Sequence, residues 1–189
     1  TLESMPSEVV IPNGYKGKKV TTIGDSAFDA SSCDSPIVRV YIPRTIHAIA
    51  VYAFYSCLEL EEVVFEGSGL LRILQRAFEG CTKLSKITLP STVTVIGMSA
   101  FSSCSGITTI KFPSGLQSIG ETAFEACNLT GKIVIPASVT SIGSSAFYGN
   151  TEGLEFLCEA ASKPTGWADD WNDSGDGYSY PVVWGYTGN

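Results

Sequence analysis

The sequence predicts a solenoid: short parallel strands wound into stacked coils, closed at its C-terminal end by an aromatic segment. Three observations predict it. A hexapeptide recurs along most of the chain at a nearly constant spacing. Prolines and cysteines fall at fixed places within that spacing. All three tryptophans, Trp167, Trp171 and Trp184, lie after the last copy.

The hexapeptide is Ile-Gly-x-x-Ala-Phe. It reads Ile23-Gly24-Asp25-Ser26-Ala27-Phe28 in the first copy and recurs ending at Phe101, Phe124 and Phe147, with degenerate copies ending at Phe54 and Phe78. The phenylalanines are spaced by 26, 24, 23, 23 and 23 residues. Six copies at a period near 23 place one structural unit in each coil of a solenoid.

One copy shows why the unit folds. Ile87 and Leu89 are two apart and share one face of a strand. Pro90 has no N–H for a ladder and ends that strand. Val93 and Ile96 turn inward on a second side, and Ala100, Phe101 and Cys104 have the spacing of a short helical or 3-10 turn with one buried stripe. A single coil cannot bury this inner face alone, so the next coil supplies the cover. Each stacked phenylalanine adds about 1.5–3 kcal/mol of burial. The proline recurs as Pro12, Pro43, Pro90, Pro113 and Pro136 and is replaced by Glu66 in one copy. Ala50 and Leu74 replace the hexapeptide glycine, so the position is helped by a small residue but does not require left-handed backbone.

The full pattern, Leu-x-x-Ile-x-Leu-Pro-x-x-Val-x-x-Ile-Gly-x-x-Ala-Phe-x-x-Cys, resembles the BspA-type leucine-rich repeat of bacterial surface proteins over about residues 8 to 158. The resemblance implies a leucine-rich-repeat solenoid, a right-handed superhelix of short parallel strands, on the outside of a cell. It implies adhesion or recognition, no shared catalytic site, and usually one segment of a longer chain. The tail resembles the ending common in such proteins, at Cys158-Glu159-Ala160, Lys163-Pro164-Thr165-Gly166-Trp167, Trp171-Asn172 and Pro181-Val182-Val183-Trp184-Gly185. The expected division is a solenoid over 1–158 and, over 159–189, a segment packed on the last coil rather than an independent domain.

Composition narrows the function. The 189 residues carry a net charge of -7, with 12 basic and 19 acidic side chains, which argues against nucleic acid as a partner. No apolar run approaches the roughly 18–20 residues of a membrane span. The chain begins at Thr1 without a charged apolar leader and reads as a mature form or a piece of something longer.

Cys57, Cys81, Cys104 and Cys127 each follow the repeat phenylalanine by three residues, Cys33 follows by five, and Asn150 takes the place in the last copy. One shared phase predicts an internal column of buried thiols rather than zinc ligands, which want paired spacing. Cys158 alternates with Leu154 and Phe156 and points inward from the last strand. In the tail, the tryptophans with Tyr178, Tyr180 and Tyr186 form either a cover for the last coil or an aromatic sugar or peptide site. Asp170, Asn172, Ser174 and Gly175 imitate the start of a calcium loop, but Pro181 stands where the bidentate Glu belongs, so the segment reads as a solvated acidic turn. Asn128 and Asn172 head glycosylation sequons.

Catalytic chemistry finds little purchase. His47 is the one histidine and has no nucleophile in its sequence neighbourhood. Glu59, Glu61, Glu62 and Glu66 read as a solvated edge. No phosphate loop, dinucleotide turn or metal constellation is present, and no cofactor is implied. What remains is the outward side of the strands, the concave side in a leucine-rich repeat. Its candidate binding residues are Arg39, Tyr41, Glu62, Val64, Lys86, Thr88, Thr109, Lys111, Lys132 and Val134, flanked by Glu8, Val10, Glu155 and Leu157. Lys86, Lys111 and Lys132 fall in consecutive copies as a basic stripe on an acidic body. That stripe is either solubilising charge or a steering surface for an acidic protein or glycan. The chain is therefore expected to be a non-catalytic, surface-exposed recognition module, or alternatively a spacer within a larger surface protein.

Overall fold

Each repeat makes one coil with three sides, and each side bonds to the same side of the neighbouring coil. The computed structural model describes residues 7–31 and 36–188. Cys33 lies outside them.

The first side holds the strands ended by proline. Glu8–Val10, Arg39–Pro43, Glu62–Glu66 and Lys86–Ile87 form a four-stranded parallel sheet, and Gly131–Ile135, Leu154–Cys158 and Val182–Trp184 a three-stranded one. The second side is a six-stranded parallel sheet of two-residue strands, from Thr22–Ile23 to Ser141–Ile142. Its register puts Ile23, Ile49, Ile73, Ile96, Ile119 and Ile142 in one buried file. Between the two sides, the proline carbonyl opens a tight turn: Pro43, Pro90, Pro113 and Pro136 accept from Ile46, Val93, Leu116 and Val139 at 3.0–3.1 Å.

The third side carries the turn predicted at Ala100, Phe101 and Cys104, without a helix among the described residues. Its local bonds are of the i→i+3 kind, as in Ser102 N–H to Ser99 O and Cys104 N–H to Phe101 O, both 3.1 Å. Alternate N–H groups instead reach the next coil, as in Phe101 N–H to Ala123 O at 2.9 Å and Ser103 N–H to Glu125 O at 2.8 Å. This division requires left-handed backbone two residues before each repeat phenylalanine. Ser26, Tyr52, Arg76, Ser99, Thr122 and Ser145 have φ between 49° and 58°, and none is glycine. Each costs about 1–2 kcal/mol locally, offset by the bond to the next coil and by the aromatic burial it allows.

The hexapeptide glycine is small for another reason. Leu74 is not among the left-handed residues, so that position does not require the conformation. A Cβ at Gly120 would sit 2.4 Å from the Gly97 carbonyl carbon, and one at Gly143 would sit 2.3 Å from the Glu121 nitrogen. At Gly24, in the first coil, nothing lies within 4 Å.

Down the middle runs the core. Phe28, Phe54, Phe78, Phe101, Phe124 and Phe147 stack with centroids 5.0–5.6 Å apart and planes within 13° of parallel. Beside them, Cys57, Cys81, Cys104 and Cys127 are buried, and each Sγ donates to the phenylalanine carbonyl of the preceding coil at 3.0–3.1 Å. Asn150 occupies the same column and makes the same bond, Nδ2 to Phe124 O, at 2.8 Å.

After Cys158 the chain follows the coil path once more. Pro164 O accepts from Trp167 N–H at 3.1 Å, Trp167 bridges to Ile142, and Ala168 N–H bonds Ile142 O at 2.8 Å. Trp171 then stands beyond Phe147, edge-on at 6.0 Å, and Trp167 Nε1 donates to Val139 O at 3.1 Å. Trp167, Trp171 and Tyr180 are buried, while Tyr178 is exposed. At the other end, Gly14–Tyr15 and Lys18–Lys19 form a small antiparallel pair that the repeat pattern does not contain.

Candidate functional site on the strand face

Two parallel rows of side chains point outward from the first side. One row reads Glu8, Arg39, Glu62, Lys86 in paired register, then Thr109, Lys132 and Glu155. Its charges alternate from Glu8 to Lys86, and after the neutral Thr109 the next, Lys132, is again positive. Arg39 sits between two carboxylates, Glu8 at 2.6 Å and Glu62 at 2.7 Å. Hydrogen bonding to Glu62, with Tyr41 adding to it, pushes the Arg39 guanidinium further towards its protonated form. Lys132 meets Glu155 at 3.6 Å. The other row is largely apolar: Val10, Tyr41, Val64, Thr88, Lys111, Val134, Leu157 and Val183. Lys86 and Lys132 therefore stand in one row and Lys111 in the other, so the basic stripe is staggered. Lys86 and Lys111 make no ion pair among the described residues.

Between the two sheets the ladder is interrupted. Segment 107–112 runs through the place of a strand but belongs to neither sheet. Thr130 N–H still reaches Thr108 O at 3.0 Å, yet Thr109, Ile110, Lys111 and Phe112 neither donate nor accept a backbone bond among the described residues. The next copy shows a local offset. Leu129 follows Cys127 by two residues where Ile107 follows Cys104 by three, and Gly131, at φ 71°, restores the phase before Pro136.

A groove of about 830 Å³ opens at this interruption. Leu89, Ile110 and Phe112, all buried, contribute its apolar lining, and Thr88, Thr109, Lys111, Lys132 and Val134 line it from three coils. Tyr186 and Gly188 of the tail also line it. Tyr186 N–H bonds Cys158 O at 2.9 Å and Gly185 N–H bonds Ala160 O at 2.8 Å, which pins the tail there. A second, shallower depression is lined by Glu62, Val64, Lys86, Thr88 and Thr109 among others. The structure thus gathers eight of the ten sequence-derived residues, all but Arg39 and Tyr41, around two adjoining depressions. Sequence reasoning missed Tyr186 as a groove residue, since it read as one aromatic of the tail.

The other chemical candidates resolve plainly. His47 is exposed, with Nδ1 3.0 Å from Gly69 O. Glu59 pairs with Lys83 at 2.7 Å, and Glu62 faces Arg39 instead. In the tail turn, Asp170 bonds Ser144 and Ser145, and Asp173 Oδ1 accepts from Gly175 N–H at 2.9 Å. No group of three candidate metal ligands occurs among the described residues. Asn172 is buried and donates to Tyr180 O at 2.8 Å, whereas Asn128 is exposed. Burial pushes the thiols of Cys127 and Cys158 up to about 12 and raises that of Cys104 as well. These thiols are therefore poor nucleophiles. No described helix is long and apolar enough to cross a membrane.

A parallel-stranded solenoid with its variable residues on one sheet face is a leucine-rich-repeat protein. The BspA type leucine rich repeat region matches residues 21–153 in six copies, and the chain belongs to that family. Among solved structures it resembles the leucine-rich repeat protein of T. pallidum, at 30% identity and a TM-score of 0.73 over 80% of this chain and 69% of that one. It also resembles a leucine rich cell surface protein of Faecalibacterium prausnitzii, at 28% identity and a TM-score of 0.62 over 87% of this chain and 50% of that one. The pneumococcal vaccine antigen PcpA is similar at 25% identity and a TM-score of 0.69, over 87% of this chain and 41% of its own. The chain thus spans half or less of the latter two. No curated protein matches it.

Proposed function

We propose that the chain is a non-catalytic recognition module, displayed outside the cell, that binds a protein or glycan through the outward face of its strands. The observation that carries this reading is the contrast within each strand. Inward positions repeat in kind, as with Val40, Val63, Ile87, Ile110 and Ile133, while outward positions change from copy to copy between acid, base, hydroxyl and apolar. A core needs only the first; a shaped and charged surface across coils is the property a binding face requires. Display outside the cell is supported by family membership and by the resemblance to a cell surface protein and a vaccine antigen.

The test is a binding screen of the purified chain against immobilised matrix proteins and a glycan array, in low and moderate salt. A hit that weakens with salt and is lost in the Lys86→Glu, Lys132→Glu double variant, at unchanged melting temperature, supports the reading. Unchanged affinity in that variant contradicts use of this face. Absence of any binder at micromolar concentration favours a spacer.

A further inference from the structure

We infer that the groove at the interrupted ladder is a subsite for an acidic saccharide, with Lys111 and Lys132 facing a sugar carboxylate and Tyr186 offering a flat side chain to the ring. This rests on the recognition reading and gives it a place and a ligand class.

Backbone carries the first part of the inference. Four consecutive residues, Thr109, Ile110, Lys111 and Phe112, keep their N–H and C=O groups out of the ladder that pairs the equivalent residues of Arg39–Pro43 with Glu62–Glu66 and of Gly131–Ile135 with Leu154–Cys158, and Thr88 and Leu89 beside them also lie outside it. Backbone polar groups in a folded protein find partners, and those not paired within the protein must find water or a ligand. The groove therefore presents donors and acceptors together. A sugar bears hydroxyls that act as both, whereas a simple anion satisfies donors alone.

Side chains carry the second part. The hydroxyls of Thr88 and Thr109 line the groove and have no hydrogen-bond partner among the described residues. Lys111 has no ion-pair partner there, and Lys132 is held only by Glu155 at 3.6 Å with two thirds of its side chain exposed. Glu159, the one carboxylate in the lining, has an oxygen turned to the Ala137 N–H at 3.0 Å. Glu159 keeps its charge, so the two lysines leave the lining at a net +1 on a chain of net charge -7. The volume, about 830 Å³, lies within the range of small-ligand sites, whose walls are apolar with a few convergent polar groups.

The experiment is a calorimetric titration of the intact chain with tri-galacturonic acid, alongside neutral cellotriose and a hexaglutamate peptide. The expected result is saturable binding of the trigalacturonate that falls with salt, with at least roughly tenfold weaker binding of the other two. Lys111→Gln with Lys132→Gln, and separately Tyr186→Ala, should each weaken it by roughly tenfold or more, while Lys18→Gln, in the antiparallel pair at the N-terminal end of the solenoid, leaves it unchanged. Circular dichroism checks that each variant stays folded. No binding of the trigalacturonate overturns the inference, equal binding of cellotriose overturns the charge assignment, and equal binding of hexaglutamate overturns the saccharide. A screen hit that needs Lys86 or Arg39 but survives the Lys111 and Tyr186 variants leaves the recognition reading standing and removes this subsite.

Discussion

Asn150 donates from Nδ2 to the carbonyl of Phe124 at 2.8 Å, the bond that Cys127 makes to Phe101 at 3.0 Å one coil earlier. The cysteine column is thus a column of donors, and an amide replaces a thiol without breaking it. Asn150 does more: its Nδ2 also reaches Phe147 O at 2.7 Å, and its Oδ1 accepts from Leu129 N–H at 2.8 Å. Asn150→Ala removes all three bonds and should cost about 2–4 kcal/mol in urea unfolding. Asn150→Cys, which restores the column's usual donor, should recover part of the loss.

The stacked phenylalanines predict a position-dependent cost. Phe101 is fully buried between Phe78 and Phe124, at 5.3 Å from each. Phe101→Ala should lower stability by about 3–5 kcal/mol. Phe28, partly buried and stacked on one side only by Phe54, should lose clearly less when truncated. Equal losses measured by denaturant midpoint would contradict a core organised as a stack.

Two glycines with the same motif position should behave oppositely. Gly120→Ala drives a Cβ to 2.4 Å from the backbone of the preceding coil and should destabilise by at least about 1–3 kcal/mol. Gly24→Ala meets nothing within 4 Å and should be neutral or stabilising by about 0.4–1 kcal/mol. Thermal melts of the two variants read this directly.

The thiols supply a pH prediction. Burial raises the Cys127 thiol from 9.0 to about 12, so the fold favours its neutral form. Its contribution to stability is complete below the unfolded value and is lost as pH rises from about 9 towards 12. Cys127→Ser should flatten the fall in stability across that window. At pH 8 a thiol reagent should label Cys81, Cys104 and Cys127 slowly in the native protein and quickly in denaturant.

Much of this architecture was legible because periodicity survives in the residues that face inward. The isoleucine register, the proline turns and the inward cysteines all follow from the hexapeptide's phase. Backbone conformation was less legible. Left-handed φ falls on Ser26, Tyr52, Arg76, Ser99, Thr122 and Ser145, with no glycine to mark it, because bonds between coils impose it. The groove was less legible still. The ten outward residues were found by alternation, but the interruption at 109–112 depends on whether neighbouring backbones pair, which alternation does not encode. Tyr186 was hidden for a related reason: two backbone bonds carry the tail back beside Lys111, a long-range return without a motif.

The most direct test of recognition by the strand face is a hydrogen-exchange footprint of the chain with and without the strongest binder from the screen. The predicted result is new protection over 86–91, 109–114 and 132–136, with the turn side around 98–103 and 121–126 unchanged. Protection confined to the turn side would contradict it.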